Sequence, residues 1–590
     1  MSFRVSALPV FLALSTAALV GGLVSAEGAG ETPARVELPA ATRGPVRIAF
    51  TPDGARALVV ESDTGTLAVL DAATGVLQRR IETVGEQPRS VVADTAETAV
   101  VVNTFSGSVA RLDLRTGEQL ALLPLRGEPT DVVLSRDGKR AFVSLAQLDE
   151  VAVLDLPQLT LRARVPVGDR PRAMALTPDG RTLLVANFQG GDVSLIDTET
   201  QRETRRVALS GINLRGIDVT PDGRHAFVTG QVPASTRVTW VAMDVWVNSV
   251  FRLDLQSGAE GAGTQGRIDF INAPAPDPDG IVALGDERVA VAVGGNDEAL
   301  LIRTPAGSGA YYDPVVERRA RVGAHPRGMA LSRDGKQLWV ANELGSSISI
   351  LDATTLNPTR RIVLDAPAKP DARLPGRYLF GNAGMTAGRQ FTCNSCHPEG
   401  GADGLTWEFV HVPDGIPARN TRNVRGGVTH TAPFRWSGRE TDVEVFIQDE
   451  ITGLLHGSRQ SPERLHALRS MVEQFPMPPN PHRAQDGNHT AAAERGKTLF
   501  EGKAGCVSCH VGDLRGGTGV KASIGTTLAT QSLDVPHLAG AHDSAPYLHD
   551  GRAKNLEAVF SRWNPDKKHG KAHELTKEEL ADVLRYVREL

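Results

Sequence analysis

The sequence predicts a chain of two architectures, all-β in its first half and mainly α-helical after it, and three observations carry the prediction. A strand-rich unit recurs, with turn aspartates Asp137, Asp179 and Asp222 spaced 42 and 43 residues apart and Asp53 lying 84 residues before Asp137. A Pro-rich joint follows, Asp365-Ala-Pro-Ala-Lys-Pro-Asp-Ala-Arg-Leu-Pro375. Beyond it, segments 430–457 and 543–570 align without a gap, the mark of an internal duplication.

The first-half unit reads Gly-x-x-Pro-Arg, an apolar strand, a Pro-Asp-Gly or Arg-Asp-Gly turn, a strand ending in Val-Ala-Asn, and a Val-x-x-Leu-Asp strand. Clear copies are 169–197 and 325–352, with weaker ones at 47–71, 89–113, 130–155, 216–254 and 279–303. Asp-Gly supplies the positive φ of a hairpin turn, and Val, Ala and Leu runs suit short strands packed face to face. Seven units at this spacing across residues 34–367 predict a seven-bladed β-propeller. The unit is similar to the YVTN-type propellers of bacterial surface and periplasmic proteins. Aromatics are scarce, so blade cores must be aliphatic. Inserts at 231–248, with Trp240 and Trp246, and at 258–275 exceed what a hairpin needs and are expected to pack against the second half or a partner. No catalytic residues stand at a recognisable spacing, which makes the propeller a docking platform; a hydrolytic activity of its own, as in a lactonase, is the alternative.

Past the joint, a second stiff linker, Pro476-Met-Pro-Pro-Asn-Pro481, divides the remainder into units 368–480 and 481–590. Each unit carries one Cys-x-x-Cys-His motif, Cys393-Asn-Ser-Cys396-His397 and Cys506-Val-Ser-Cys509-His510, and together they use all four cysteines of the 590-residue chain. In such a motif the thiolates add to haem vinyl groups and the histidine supplies the proximal nitrogen. A closed zinc site needs four ligands, and no second cysteine pair lies near either motif. Two covalently bound haem c groups in a tandem cytochrome c-like di-haem domain are the expectation. The copies share Ala432/Ala545, Pro433/Pro546, Gly438/Gly551, Arg439/Arg552, Glu444/Glu557, His456/His569 and Gly457/Gly570. His456 and His569 each follow their proximal histidine by 59 residues. Gly376-Arg-Tyr-Leu-Phe380 and Gly496-Lys-Thr-Leu-Phe500 open the two copies with a similar helix start.

From about Gly376 onward the chain resembles the bacterial di-haem cytochrome c peroxidase and MauG family. The residues that carry the likeness are the two motifs, Ala545-Pro-Tyr-Leu-His-Asp-Gly551, Leu556-Glu557, and Trp436 within Arg-Trp-Ser-Gly-Arg. The resemblance implies that Trp436 relays electrons between the haems, that the His397 haem meets hydrogen peroxide, and that the His510 haem stores or forwards the electron. It also implies calcium between the units, and as partner a small redox protein, a cytochrome c or cupredoxin, or a substrate protein. Two departures stand out. His456 occupies the place of the family's distal glutamate, and Trp563 stands near the place of an axial methionine. His456 either moves protons off the iron or binds it as sixth ligand, and the matching His569 argues for ligation, with bonding to haem propionates or helix capping as the alternative for both. Permanent bis-histidine ligation would favour a non-catalytic electron carrier; a His456 that leaves the iron, on the glycine-flanked Thr452-Gly-Leu-Leu-His-Gly457, would favour a gated peroxidase.

Residues 1–26 combine Arg4, an apolar run and Val24-Ser25-Ala26, the pattern of a secretory signal, with an uncleaved anchor as the alternative. No later stretch is apolar and long enough to span a bilayer, so the expected mature protein is periplasmic and not integral to the membrane. The formal net charge of −5 argues against nucleic acid.

Overall fold

The computed structural model describes residues 37–590 apart from 234–236, 239–245, 256–263, 271–273, 286, 305–314, 366, 368, 410–415, 417, 485 and 527–531. The expected signal segment, residues 1–26, and Trp240 lie outside the described residues. Glu37–Leu590 forms one unit.

Seven four-stranded antiparallel sheets, spanning residues 45–82, 88–124, 129–166, 171–208, 217–269, 278–321 and 326–363, make the seven blades. The first strand of each blade packs on the first strand of the next, and the seventh blade closes on the first, so these strands ring the axis. Six of the seven open on proline (Pro45, Pro88, Pro129, Pro171, Pro278 and Pro326), which has no N–H to offer a ladder and suits a strand's first position. The Asp-Gly turns form as expected: Gly54, Gly138, Gly180, Gly223 and Gly335 all have φ between 67° and 77°. In each turn the aspartate accepts a hydroxyl hydrogen bond at 2.6 Å from Thr51, Ser135, Thr177, Thr220 or Ser332, two residues earlier. Between every pair of neighbouring blades lies an apolar cluster made mostly of Val, Leu, Ile and Ala. The blade that closes the ring adds an aromatic latch, Trp339 edge-on to Phe50 at 5.5 Å.

Among the described residues the second half has seven α-helices: α1 (Leu374–Gly381), α2 (Cys393–Cys396), α3 (Val443–Asp449), α4 (Pro462–Glu473), α5 (Ala491–Glu501), α6 (Leu556–Ser561) and α7 (Lys577–Glu589). The duplication is visible in its packing, because α1 crosses α4 as α5 crosses α7. Both crossings use the same glycine. A Cβ on Gly376 would stand 2.1 Å from the Ala467 carbonyl oxygen, and one on Gly496 1.9 Å from that of Asp582. Phe380 and Phe500, four residues on, fill the two cores.

The blade-five insert does pack on the second half. Its strand Arg237–Val238 pairs in parallel with Thr406–Phe409, which in turn pairs with Ala418–Asn420. A backbone ladder therefore joins the propeller to the second half.

Candidate functional site

The first motif forms the short helix α2, and the propeller holds it from beneath. Thr392, its N-cap, donates its hydroxyl to Asp277 and its backbone N–H to Ser395 Oγ at 3.1 Å. Asn213 Nδ2 donates to the Ser395 carbonyl at 2.9 Å, Arg215 to the Asn394 carbonyl at 3.3 Å, and Asn248 to the Gln390 carbonyl at 3.0 Å. Arg215 and Asp277, each with only 1% of its side chain exposed, lie 3.6 Å apart. A buried pair of this kind holds only while both partners and their other hydrogen bonds are in place. None of the four cysteines is paired in a disulfide. Cys393 and Cys506 lie in surroundings whose burial disfavours a charged thiolate.

A cavity of about 290 Å³ opens above the first motif, walled by Cys393, Cys396, His397, Trp436, Glu450 and His456 together with aromatic and aliphatic side chains, among them Phe391, Trp407 and Phe446. A largely apolar wall with two thiols and an imidazole at one end fits a covalently attached porphyrin. Burial lowers the His397 pKa, opposed by the Gly401 and Arg422 carbonyls, and its Nδ1 makes no hydrogen bond.

His456 reaches this cavity by an unusual backbone route. Helix α3 runs into a π-helical turn, Glu450–Leu454, and His456 itself takes φ +48°. Such π-turns occur frequently at functional sites. The glycine beside it serves close packing, since a Cβ on Gly457 would stand 1.9 Å from the Met385 carbonyl oxygen. Glu450, which sequence reasoning missed, lines the same wall. It accepts a hydrogen bond from Arg435 Nη1 at 2.6 Å, and desolvation holds its carboxyl above the usual range against that cation. The signal was hidden because the π-turn shifts which residues of the segment face inward.

The second motif sits near the surface, with Ser508 exposed where its counterpart Ser395 is 1% exposed. His510 Nδ1 lies 3.0 Å from the Arg515 carbonyl, the partner that fixes the ring and leaves Nε2 for a metal. Its ring centroid is 6.3 Å from that of His569, with 33° between the planes. His510 and His569 are thus two neighbouring imidazoles that could serve one metal. His569 stacks on Phe560 at 4.9 Å, its Nδ1 is buried without a hydrogen bond, and burial followed by His510 lowers its pKa to about 4, leaving the neutral, metal-binding form.

Trp436, 9% exposed, belongs to the wall of the first cavity and also to the contact between the units. Its Nε1 donates to the Asn420 carbonyl at 3.2 Å, the Arg422 guanidinium lies 4.6 Å over its ring, and His549 meets it edge-on at 6.3 Å. His549 is the duplicate of Trp436, so equivalent positions of the two copies face each other. Backbone bonds cross the contact in the same symmetric sense, from Asn420 N–H to the His549 carbonyl and from Asp534 N–H to the Trp436 carbonyl. The guanidiniums of Arg552 and Arg562 lie over the Trp563 ring, at 5.2 and 5.0 Å. For calcium the contact offers the Asn420 Oδ1, buried without a hydrogen bond, and the Pro546 carbonyl, short of the about six to eight oxygens that ion takes. Among the described residues no cluster of three or more His, Cys, Asp or Glu side chains surrounds a metal-sized site.

The site and the fold define a class: a c-type cytochrome joined to a seven-bladed β-propeller. Residues 493–590 match the cytochrome c family, and residues 24–214 match the family of lactonases with a seven-bladed β-propeller. The chain is similar to the hydrazine synthase subunit gamma of Kuenenia stuttgartiensis, 26% identical over 284 residues, which are 39% of this chain and 80% of that protein. It is also similar to the methylamine utilization protein MauG of Methylorubrum extorquens, 25% identical over 249 residues, 33% of this chain and 69% of the relative. Among solved structures, a chain of Kuenenia stuttgartiensis hydrazine synthase superposes with a TM-score of 0.49 at 22% identity, covering 55% of this chain and 99% of that one. No helix among the described residues is long and apolar enough to cross a membrane.

Proposed function

We propose that the chain is a periplasmic c-type oxidoreductase with two covalently bound haems. In this reading it acts as a peroxidase or MauG-like enzyme, reducing hydrogen peroxide with electrons from a redox partner or substrate protein. The observation that carries the reading is the position of Trp436, on the wall of the first cavity and in edge contact with His549 of the second unit. Cys393, Cys396 and His397 would hold one haem, and Cys506, Cys509, His510 and His569 the other. When bound, haem supplies one-electron storage and, at an iron with an open position, activation of peroxide.

The chain's own residues do the rest. The apolar wall around His397 excludes water, which strengthens every charge interaction inside it. Reduction of one peroxide to two waters consumes two electrons and two protons. Glu450 and His456 are the groups on that wall able to move protons, the first a carboxyl whose pKa desolvation raises against the Arg435 cation and the second an imidazole. Trp436 and His549 shorten the through-space gap for electrons between the units. His569 closes the second site to peroxide. Electrons enter at the second unit, whose motif lies near the surface, from a small redox protein such as a cytochrome c or cupredoxin. The propeller face that carries the first motif is covered by this chain's own cytochrome unit, so a partner docked on the propeller must use its other surfaces.

Visible and EPR spectra of the haem-loaded protein test the reading. One low-spin centre and one peroxide-reactive centre are expected, with His569→Ala converting the low-spin centre to high-spin. Two low-spin centres that ignore peroxide would replace the enzyme by the second reading, a bis-histidine electron carrier, which the spacing of His510 and His569 favours for at least one site.

A further inference from the structure

The arginines of the propeller repeat converge on a single carboxylate of the cytochrome half. Arg89, Arg172 and Arg327 each follow the proline that opens a first strand, in blades two, four and seven, far apart in sequence. Arg89 grips both oxygens of Glu399 at 2.7 and 3.1 Å, while Arg172 and Arg327 reach Oε1 at 2.6 and 2.9 Å. Arg425 Nε holds the Glu399 carbonyl at 3.0 Å, and the Glu399 N–H donates to Asn394 Oδ1 within the first motif at 3.0 Å.

Glu399 stands two residues after His397. Its backbone is left-handed, φ +53°, a conformation that favours glycine, and the second copy has Gly512 at this place with φ +77°. The first copy thus keeps a strained glutamate where its duplicate keeps a glycine. The three arginines bond Glu399 of the first copy, so the charge, not the turn, explains the residue.

We propose that the propeller's arginine ring is a socket for Glu399 that positions the first haem motif and sets the properties of the His397 haem alone. The idea rests on the di-haem reading above for its electrochemical part only. Glu399 joins Asp279, 2.6 Å from Arg327 Nε, and Glu343, 3.4 Å from its Nη1, in offsetting the three positive charges beside the first motif.

The test uses the full-length, haem-loaded protein and compares Glu399→Gln, Glu399→Asp and Arg89→Gln. Midpoint potentials are followed at each haem, and amide hydrogen exchange is followed over residues 390–401 and 505–512. Glu399→Gln is expected to raise the first potential, changing the ferrous-to-ferric ratio about tenfold, or about 59 mV, and to speed exchange over 390–401 only. Glu399→Asp restores part of both effects. Arg89→Gln, which removes a positive charge, shifts the potential downward, a reversal of sign that simple loosening would not give. Unchanged exchange at the first motif, or equal changes at both motifs, overturns the proposal. A wild-type mass showing no haem on Cys393 and Cys396 would instead remove the di-haem reading, and exchange would still decide whether the socket holds the motif.

Discussion

At the residue scale, the chemistry turns on a few side chains whose environment departs from their type. Trp436→Phe removes the Nε1 bond to Asn420 and the richest π-system in the contact. If electrons pass there, kcat and kcat/KM for peroxide-dependent oxidation fall together, by about tenfold or more, with both haems still attached. Steady-state kinetics with a reduced donor protein would show it, and unchanged turnover would exclude the route. Asp403 gives a pH signature. It is 1% exposed, accepts from Trp407 Nε1 at 3.0 Å and from the Leu405 N–H, and burial still raises its pKa from 3.8 to about 7. Because the folded state keeps a proton that the unfolded chain has lost, this contribution is full below about pH 4 and vanishes as pH rises through 7. Thermal melting between pH 5 and 8 should therefore decline less steeply in Asp403→Asn than in the wild type. A parallel decline in the two proteins would show that another group controls it. Most of these residues were legible: the four cysteines, His397, His510 and Trp436 announce themselves by motif. Glu450 and Glu399 did not, because a lone carboxylate carries no pattern until the fold surrounds it.

At the element scale, the duplicated helix crossings depend on Gly376 and Gly496. The backbone carbonyl facing Gly496 cannot retreat as a flexible side chain would, so Gly496→Ala forces α5 and α7 apart. A loss of about 1–3 kcal/mol is expected, measurable as a lower denaturant midpoint for the cytochrome part. No loss would mean that the helices re-register at little cost. The repeat itself was readable: the Gly-start helices, the Asp-Gly turns and the Pro-opened strands all follow local rules. The π-turn before His456 was not, since no residue type specifies one, and the tertiary contact at Gly457 fixes it.

At the scale of the whole molecule, the propeller is the bed on which the first haem motif lies. Asp277 holds Thr392, Ser395 and Arg215 at once. Asp277→Ala leaves a buried guanidinium without its partner, which costs about 3–5 kcal/mol. The expected outcome is loss of haem from Cys393 and Cys396 before any loss from Cys506 and Cys509, read by intact mass and haem staining of the full chain. Equal occupancy at both motifs would show that the bed is dispensable.

The sequence by itself determined the blade count, the duplication and the attachment chemistry, because each is written in short-range spacing: turn residues every 42 or 43 positions, a repeated block, a five-residue motif. Only the tertiary structure decided that Trp436 meets its own duplicate His549, that His569 faces His510, and that arginines from three blades close on Glu399. Those contacts join residues up to 310 positions apart, and at such separations packing alone chooses the partner.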